Sequence, residues 1–403
     1  MNKSLKDKKI AIVCDWIKDW GGAELVLSHM LEIFPQADIY TSIFYQNNNP
    51  VFRNHEVVQY EKKWSSHKAK IYTSFIQKIP FLNKSHKLAL TLRPIAFESF
   101  NLSSYDIVIS STSAESKGII TKPDCLHICY CHTPTRYFWS HYHEYMSMLE
   151  FWLFNLLAKW LMPKLIWPLR KWDYIAAQRP DYFLANSHNT AKRIKKYYKR
   201  EVEVLYPGID IPAEQPLQTI LRSDFYLAVG MCIPYKKFDL LIETFNKNGK
   251  KLICVTNTDN KLYRKLKSIS KSNIEWKYNI SRDETERFFA SAKAFLFPPE
   301  EDFWLVPLEA MSYGTPVIAY GKGGALETVI ANETGLIRDR SQATGVFFEE
   351  QNFESLDQAI KQFETIQFEN QDIKQHAKKF SKKVFQEKLI NFIEEKLKEK
   401  NLS

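Results

Sequence analysis

The chain has little glycine. Twelve glycines stand among 403 residues, roughly 3% where about 7% is usual. That scarcity excludes collagen-like and Gly/Ser-linker chains, and an apolar content of 45% excludes broad disorder. Neither G-x-G-x-x-G nor G-x-x-x-x-G-K-[ST] occurs, so neither glycine-rich phosphate loop is present. Each surviving glycine is expected to mark a backbone position that a side chain would spoil. Cysteine is sparse too: six residues without framework spacing fit a reducing compartment better than a disulfide scaffold. Long apolar runs are missing. The nearest approach, Met146 to Leu169, is interrupted by Glu150, Asn155, Lys159, Pro163, Lys164 and Pro168, and it reads as an amphipathic or buried helix rather than a membrane span. The polar opening Met1 to Lys9 runs straight into a strand, so no signal peptide is expected.

What is present is positive charge and aromatic bulk. Lys and Arg number 56 against 46 Asp and Glu, a net charge of +10, which points to an anionic partner: nucleic acid, an acidic membrane surface or a phosphorylated small molecule. The length allows two domains, each large enough for its own core. Apolar runs at Lys9 to Cys14, Ile39 to Phe44, Ile107 to Ser111, His127 to Cys131 and Tyr182 to Ala185 alternate with helical stretches. The pattern restarts at Phe225 to Gly230 and continues with Leu252 to Val255, Ala294 to Phe297 and Pro316 to Ala319. Continuous apolar strands alternating with helices predict parallel sheets covered on both faces. The fold class is therefore α/β, two doubly wound domains joined near residues 208–222. Helices are expected near Lys237, Ser281, Pro307 and Gly324; from Ser355 onward the sequence is mostly charged and helical, and Gln371 to Leu402 has apolar residues at helical spacing.

The densest signal runs from Phe297 to Ala319. A strand ends at Phe297, a loop carries Glu301, and Pro307 predicts the first turn of a helix, with Glu309 in that turn and the N–H groups of Leu305 and Val306 facing an anion. Two carboxylates seven residues apart would then flank a phosphate ester, and a carboxylate suits the vicinal hydroxyls of a sugar.

The spacing of Glu301 and Glu309, followed by Ala310-Met311 and Gly314-Thr-Pro-Val, resembles the E-x7-E motif of retaining glycosyltransferases of family 4, which have the GT-B fold. The resemblance runs through Asp15-Trp16, Gly21-Gly22-Ala23-Glu24, Cys131-His132-Thr-Pro-Thr-Arg136-Tyr137, Tyr206-Pro-Gly-Ile-Asp210, Gly230 to Lys237, and Tyr320-Gly-Lys-Gly-Gly324-Ala-Leu-Glu327. The Cys-His-Thr-Pro and Gly-Lys-Gly-Gly-Ala-Leu-Glu pieces look most like bacterial O-antigen mannosyltransferases. It implies two Rossmann-like domains facing a central cleft: residues 1–207 on the acceptor side, 208–380 binding the nucleotide sugar, and 381–403 a helix returning to the first domain. It further implies a metal-independent enzyme, without cofactor, that transfers a hexose with retention from a nucleotide diphosphate sugar, GDP-mannose favoured, to a polyprenyl-linked saccharide. Under this resemblance His132 and Glu301 are catalytic. Gly22, Lys236, Trp304, Leu305, Val306 and Glu309 bind the donor, with Lys236 neutralising the diphosphate and Glu309 holding the ribose. Arg136 and Tyr137 lie on the acceptor side.

Two residues depart from the family pattern. Met231 stands where the family has Arg, and Trp304 where it has Gly, both at the phosphate site. An altered donor mode is expected, the alternative being an inactive or weakened scaffold. Cys125, His127, Cys129 and Cys131 alternate along one strand and spread over about 20 Å, too far for a tetrahedral zinc site, so they are expected to be structural; His141 and His143 likewise. The segment Glu61 to Arg93 mixes Lys62, Lys63, Lys68, Lys70, Lys78, Lys84 and Lys87 with Trp64, Tyr72, Phe75 and Phe81, fitting an anionic membrane surface. Together with the polyprenyl-linked acceptor that the resemblance implies, a peripheral position on the cytoplasmic face of the inner membrane is expected. No nucleic-acid motif accompanies the charge, so no nucleic-acid partner is expected.

Overall fold

The computed structural model describes residues 5, 7–17, 21–44, 70–82, 89–140, 142–143, 155–212, 222–331 and 343–400. Lys62, Lys63, Trp64, Lys68, Lys84, Lys87, His141, Gly335 and the stretch 144–154 lie outside these residues. The chain divides into two compact units, one of Met1–Tyr206 with Gln386–Ser403 and one of Pro207–Phe385.

The first unit is built on a parallel sheet of β1 (Ile10–Cys14), β2 (Asp38–Thr41), β3 (Ile71–Thr73), β4 (Ile107–Thr112), β5 (Leu126–Cys131), β6 (Tyr182–Ala185) and β7 (Glu203–Val204). Its strand order is β3-β2-β1-β4-β5-β6-β7. Ile12 lies opposite Ile39 on one side and Ile109 on the other. Every residue of β1, β4 and β5 is buried, because crossover helices cover both faces and water reaches neither. Those helices include α1 (Gly22–Ile33), α2 (Arg93–Glu98), α3 (Asn155–Ala176) and α4 (His188–Tyr198).

The second unit repeats the design with β8 (Tyr226–Val229), β9 (Leu252–Thr256), β10 (Ile274–Tyr278), β11 (Ala294–Phe297), β12 (Val317–Tyr320) and β13 (Gly345–Phe348), ordered β10-β9-β8-β11-β12-β13. Its helices are α5 (Phe238–Asn248), α6 (Lys261–Ile269), α7 (Arg282–Ser291), α8 (Leu305–Ser312), the short α9 (Ala325–Thr328), α10 (Phe353–Glu364) and α11 (Asn370–Lys378). In both sheets the strand order reverses beside the first strand, between β1 and β4 and between β8 and β11, where open α/β sheets bind ligands at the strands' carboxyl ends. The last helix, α12 (Lys382–Glu399), has its residues from Gln386 onward in the first unit, where Leu389, Ile393 and Leu397 are buried at i, i+4 and i+8.

The alternating cysteines and histidine of β5 pack instead of ligating. Cys129 and Cys131 join Phe183, Ile194 and Tyr198 in one apolar cluster, and Cys125 joins Val108 and Ile119 in another. His127 is fully buried, with Nε2 2.9 Å from Ser110 Oγ. Gly345 is a strand residue: a Cβ there would meet the carbonyl oxygen of Val317 on the neighbouring strand.

Burial holds the His127 imidazole down to about 3. The neutral ring is favoured in the fold, so its stabilisation is complete above the ordinary histidine value and is lost as pH falls from there towards the folded value. Urea midpoints measured from pH 7 to 4.5 should therefore drop more steeply for the wild type than for His127→Gln, by up to about 1.4 kcal/mol per pH unit. Parallel slopes would contradict a buried neutral histidine.

Candidate active site

Three loops at the carboxyl ends of β8, β11 and β12 meet around one carboxylate. After β8 the chain passes Gly230, whose φ is +155°, and makes a single 3-10 turn, Pro234–Lys236, before a left-handed Lys237 opens α5. The turn drives Lys236 inward, where it is 4% exposed, and its Nζ lies 2.7 Å from Oε1 of Glu301 on the loop after β11. The third loop packs against the backbone of the second. Gly324 N–H donates to Glu301 O at 2.7 Å, and a Cβ on Gly323 or Gly324 would collide with the carbonyl oxygen of Glu301 or Asp302. Gly323 also has φ +67°, so Gly323 and Gly324 of this Gly-Lys-Gly-Gly loop are set by close approach, and Gly323 by left-handed backbone as well.

Trp304 is the N-cap residue of α8, in extended conformation and with no side-chain capping bond. Its indole covers the Lys236 ammonium, with Nζ 3.1 Å from the ring centroid, and sits 4.7 Å from the ring of Phe297. Lys236 is thus held between the Glu301 carboxylate and the Trp304 ring. Met231, 48% exposed, stands on the same loop as Lys236, and its thioether supplies neither charge nor a donor.

The helix start differs from the sequence expectation. α8 begins at Leu305, and Pro307 is its third residue. Helix N–H groups in the first turn have no intrahelical acceptor, so proline is tolerated there without marking the first position. Leu305 and Val306 open the helix, while Glu309 lies in its second turn rather than its first. Glu309 is nearly buried, and its Oε1 accepts from Arg282 Nη1 at 2.9 Å. Arg282 also donates from Nε to Glu286 at 2.8 Å and starts α7 behind a Ser281/Glu284 capping box. Arg282 escaped the sequence reading because nothing local ties it to Glu309 across 27 residues.

In the first unit the carboxyl ends of β1, β4 and β5 enclose a small cavity of about 60 Å³ lined by residues including Asp15, Trp16, Glu24, Ser111 and His132. Asp15 is buried and bridges two of these ends: Oδ2 accepts from Ser113 N at 2.6 Å and Oδ1 from Ser116 N at 2.8 Å. His132 Nε2 lies 2.9 Å from Ser111 Oγ, and burial holds the ring down to about 4, so it is neutral at physiological pH. Gly22 is the exposed first residue of α1, next to the cap residue Gly21. Arg136 is half-buried in the turn after β5. Tyr137 turns inward: its hydroxyl donates to Glu115 at 2.6 Å and accepts from Arg93 at 2.8 Å. Arg93 and Glu115 form a buried ion pair at 3.2 Å, and burial still pushes the Glu115 carboxyl up to about 7 against the pull of Arg93.

These two sheets, each with its loops gathered at the reversal of strand order, define a two-domain Rossmann-like protein of the GT-B class. The family Glyco_transf_4, Glycosyltransferase Family 4, matches residues 20–212, and the family Glycosyl transferases group 1 matches residues 214–380. The chain belongs to the family 4 glycosyltransferases. It is 25% identical over 203 residues to the alpha-1,3/1,6-mannosyltransferase ALG2 of Candida glabrata, covering 38% of this chain and 44% of that one. An uncharacterised glycosyltransferase of Methanocaldococcus jannaschii is 26% identical over 220 residues, 53% of this chain and 58% of that one. The chain thus spans about half the length of these curated relatives. Among solved structures, Anabaena HepE in complex with UDP superposes with a TM-score of 0.63 at 14% identity, covering 96% of this chain and all of that one. The sucrose-phosphate synthase of Thermosynechococcus elongatus gives 0.68 at 14% identity, covering 96% and 98%.

A buried ion pair responds asymmetrically to mutation. Glu301→Ala strands the Lys236 ammonium and is expected to lower the unfolding free energy by about 3–5 kcal/mol, whereas Lys236→Met with Glu301→Leu removes both charges and should cost far less. Denaturant titration of the two variants checks this; equal losses would show that the pair is not buried as described.

Proposed function

We propose that the chain transfers a hexose, mannose favoured, from a nucleoside diphosphate sugar to a hydroxyl of a lipid-linked saccharide, with retention at the anomeric carbon, in the assembly of a surface polysaccharide such as O-antigen. The observation that carries this reading is the buried Lys236–Glu301 pair beside the N-terminus of α8, at the strand-order reversal of the second sheet. Charge develops on the leaving diphosphate as the bond from the anomeric carbon to phosphate oxygen breaks. Lys236 and the N–H groups of Leu305 and Val306 are the groups to meet it, without a metal ion. Glu309, oriented by Arg282, is suited to the ribose hydroxyls and Glu301 to those of the donor sugar. Attack comes from the face the leaving group occupies; the acceptor oxygen bonds the anomeric carbon and its proton passes to the departing phosphate. His132, neutral and bonded to Ser111, gives the first unit's own crevice a hydrogen-bonding group, not a cation. Mannose is favoured because the ALG2 relatives carry the name mannosyltransferase.

A second reading, a degenerate scaffold with the GT-B fold, is favoured by two residues: Trp304 already covers Lys236, and Met231 offers no donor. A donor screen by mass spectrometry with a lipid-linked acceptor mimic, beside calorimetry with GDP and UDP, separates the two. Hexose transfer from GDP-mannose, abolished in Glu309→Ala, is expected; no binding of any nucleoside diphosphate would leave the scaffold reading standing.

A peripheral place on an anionic, cytoplasmic-side membrane is part of this proposal. Lys164, Trp167, Lys171, Tyr174 and Ile175 are exposed along one face of α3 at helical spacing, while Ile166, Leu169, Asp173 and Ala176 are buried on the other. Lys171 Nζ lies 3.5 Å from the centre of the Trp167 ring. Tyr72, Phe75 and Phe81 add exposed aromatics. Basic and aromatic residues on one exposed face suit the headgroup region. No helix among the described residues is long and apolar enough to cross a membrane. Liposome flotation should show binding that rises with anionic lipid and weakens about fivefold in Lys171→Ala, from roughly 1 kcal/mol per lysine; binding indifferent to lipid charge would count against this face.

A further inference from the structure

The Trp304 indole lies on the ammonium that the proposed donor site depends on. Lys236 Nζ is 3.1 Å from the ring centroid and 2.7 Å from Glu301 Oε1, so ring and carboxylate take up two sides of a cation that is 4% exposed. The face of an indole carries the negative lobe of its quadrupole. It attracts an ammonium and repels phosphate oxygens, so a diphosphate cannot reach Lys236 through the ring.

The ring is seated between Gly230 and Phe297. Its Cη2 lies 3.4 Å from where a Cβ on Gly230 would stand, and Phe297 supports it at 4.7 Å. Its backbone is not part of the obstruction. Trp304 is an N-cap residue without a capping side-chain bond, so rotation about its side-chain torsions leaves every hydrogen bond of α8 in place.

We propose that Trp304 is a displaceable cap on the diphosphate site: without donor its indole occupies the space over Lys236, and a nucleoside diphosphate takes that space by turning the ring out. This assignment rests on the donor reading above. A diphosphate offers Lys236 full charges where the ring offers only a quadrupole, so the exchange runs towards the nucleotide. The cap lowers apparent donor affinity by the fraction of time the site is open. It also adds a second contact to an ammonium that Glu301 already pairs in the absence of donor.

The test uses the full chain labelled with 5-fluorotryptophan, read by fluorine NMR, together with calorimetry using GDP and UDP as probes. Trp304→Phe assigns the resonance. Lys236→Met should shift that resonance without nucleotide, and GDP or UDP should shift it in the wild type. Trp304→Ala, checked for folding by thermal melting, should bind the same nucleotide about 3- to 30-fold tighter, the range expected for loss of a cation–π contact, with Trp304→Phe in between. Binding by Trp304→Ala that is equal to or weaker than wild type, or a Trp304 resonance blind to nucleotide, overturns the cap while leaving the donor reading intact. Failure of wild type and Trp304→Ala alike to bind either nucleotide overturns the donor reading and the cap with it.

Discussion

A lysine and a glutamate, both shielded from water, can coexist in the second unit only as partners, since either charge left alone in the interior costs several kcal/mol (about 3–5). The Lys236–Glu301 contact at 2.7 Å meets that requirement and in doing so joins the loop after β8 to the loop after β11. Gly324 then ties the loop after β12 to the Glu301 carbonyl. Three residues past Glu301 the chain enters α8 through Trp304, so the position of the helix N-terminus, and of Glu309 on its second turn, follows from where that carboxylate is held.

The first unit solves the same geometric problem with a different partner. Asp15, just past β1, receives backbone N–H groups from Ser113 and Ser116, just past β4. In each sheet one carboxylate bridges the two strands at which the order reverses, where diverging crossovers leave a crevice. One site collects a cation and a helix N-terminus, suited to anions; the other collects a neutral histidine, a serine and carboxylates, suited to hydroxyls. The difference in chemistry lies in loop side chains set on nearly the same scaffold.

How much was legible from residues alone follows burial. The central strands β1, β2, β4, β5, β6, β8, β9, β11 and β12 appear as apolar runs because both faces are covered. Every strand the reading missed is at a sheet edge: Ile71–Thr73, Glu203–Val204, Ile274–Tyr278 and Gly345–Phe348. Edge strands have fewer neighbours and more water. Ile274–Tyr278 alternates apolar and charged residues, Glu203–Val204 has only two residues, and Gly345 replaces a side chain where Val317 crowds it. Helix boundaries showed a related limit. The helix expected near Ser281 does start there, behind a capping box whose partners are three residues apart, whereas α8 starts two residues before its proline because the first-turn groups carry no intrahelical bonds.

Composition and order along the chain determined the class: alternating apolar runs and helices dictate parallel sheets, and Glu301, Glu309 and the Gly-Lys-Gly-Gly loop carry the family pattern in residues close in sequence. Tertiary structure alone decided which groups those residues meet. That Trp304 covers Lys236, that Arg282 holds Glu309, and that Tyr137 spends its hydroxyl on Glu115 and Arg93 are contacts between residues 22 to 68 positions apart. Such contacts depend on side-chain torsions chosen by packing after the strands have aligned, and local sequence carries no record of that choice.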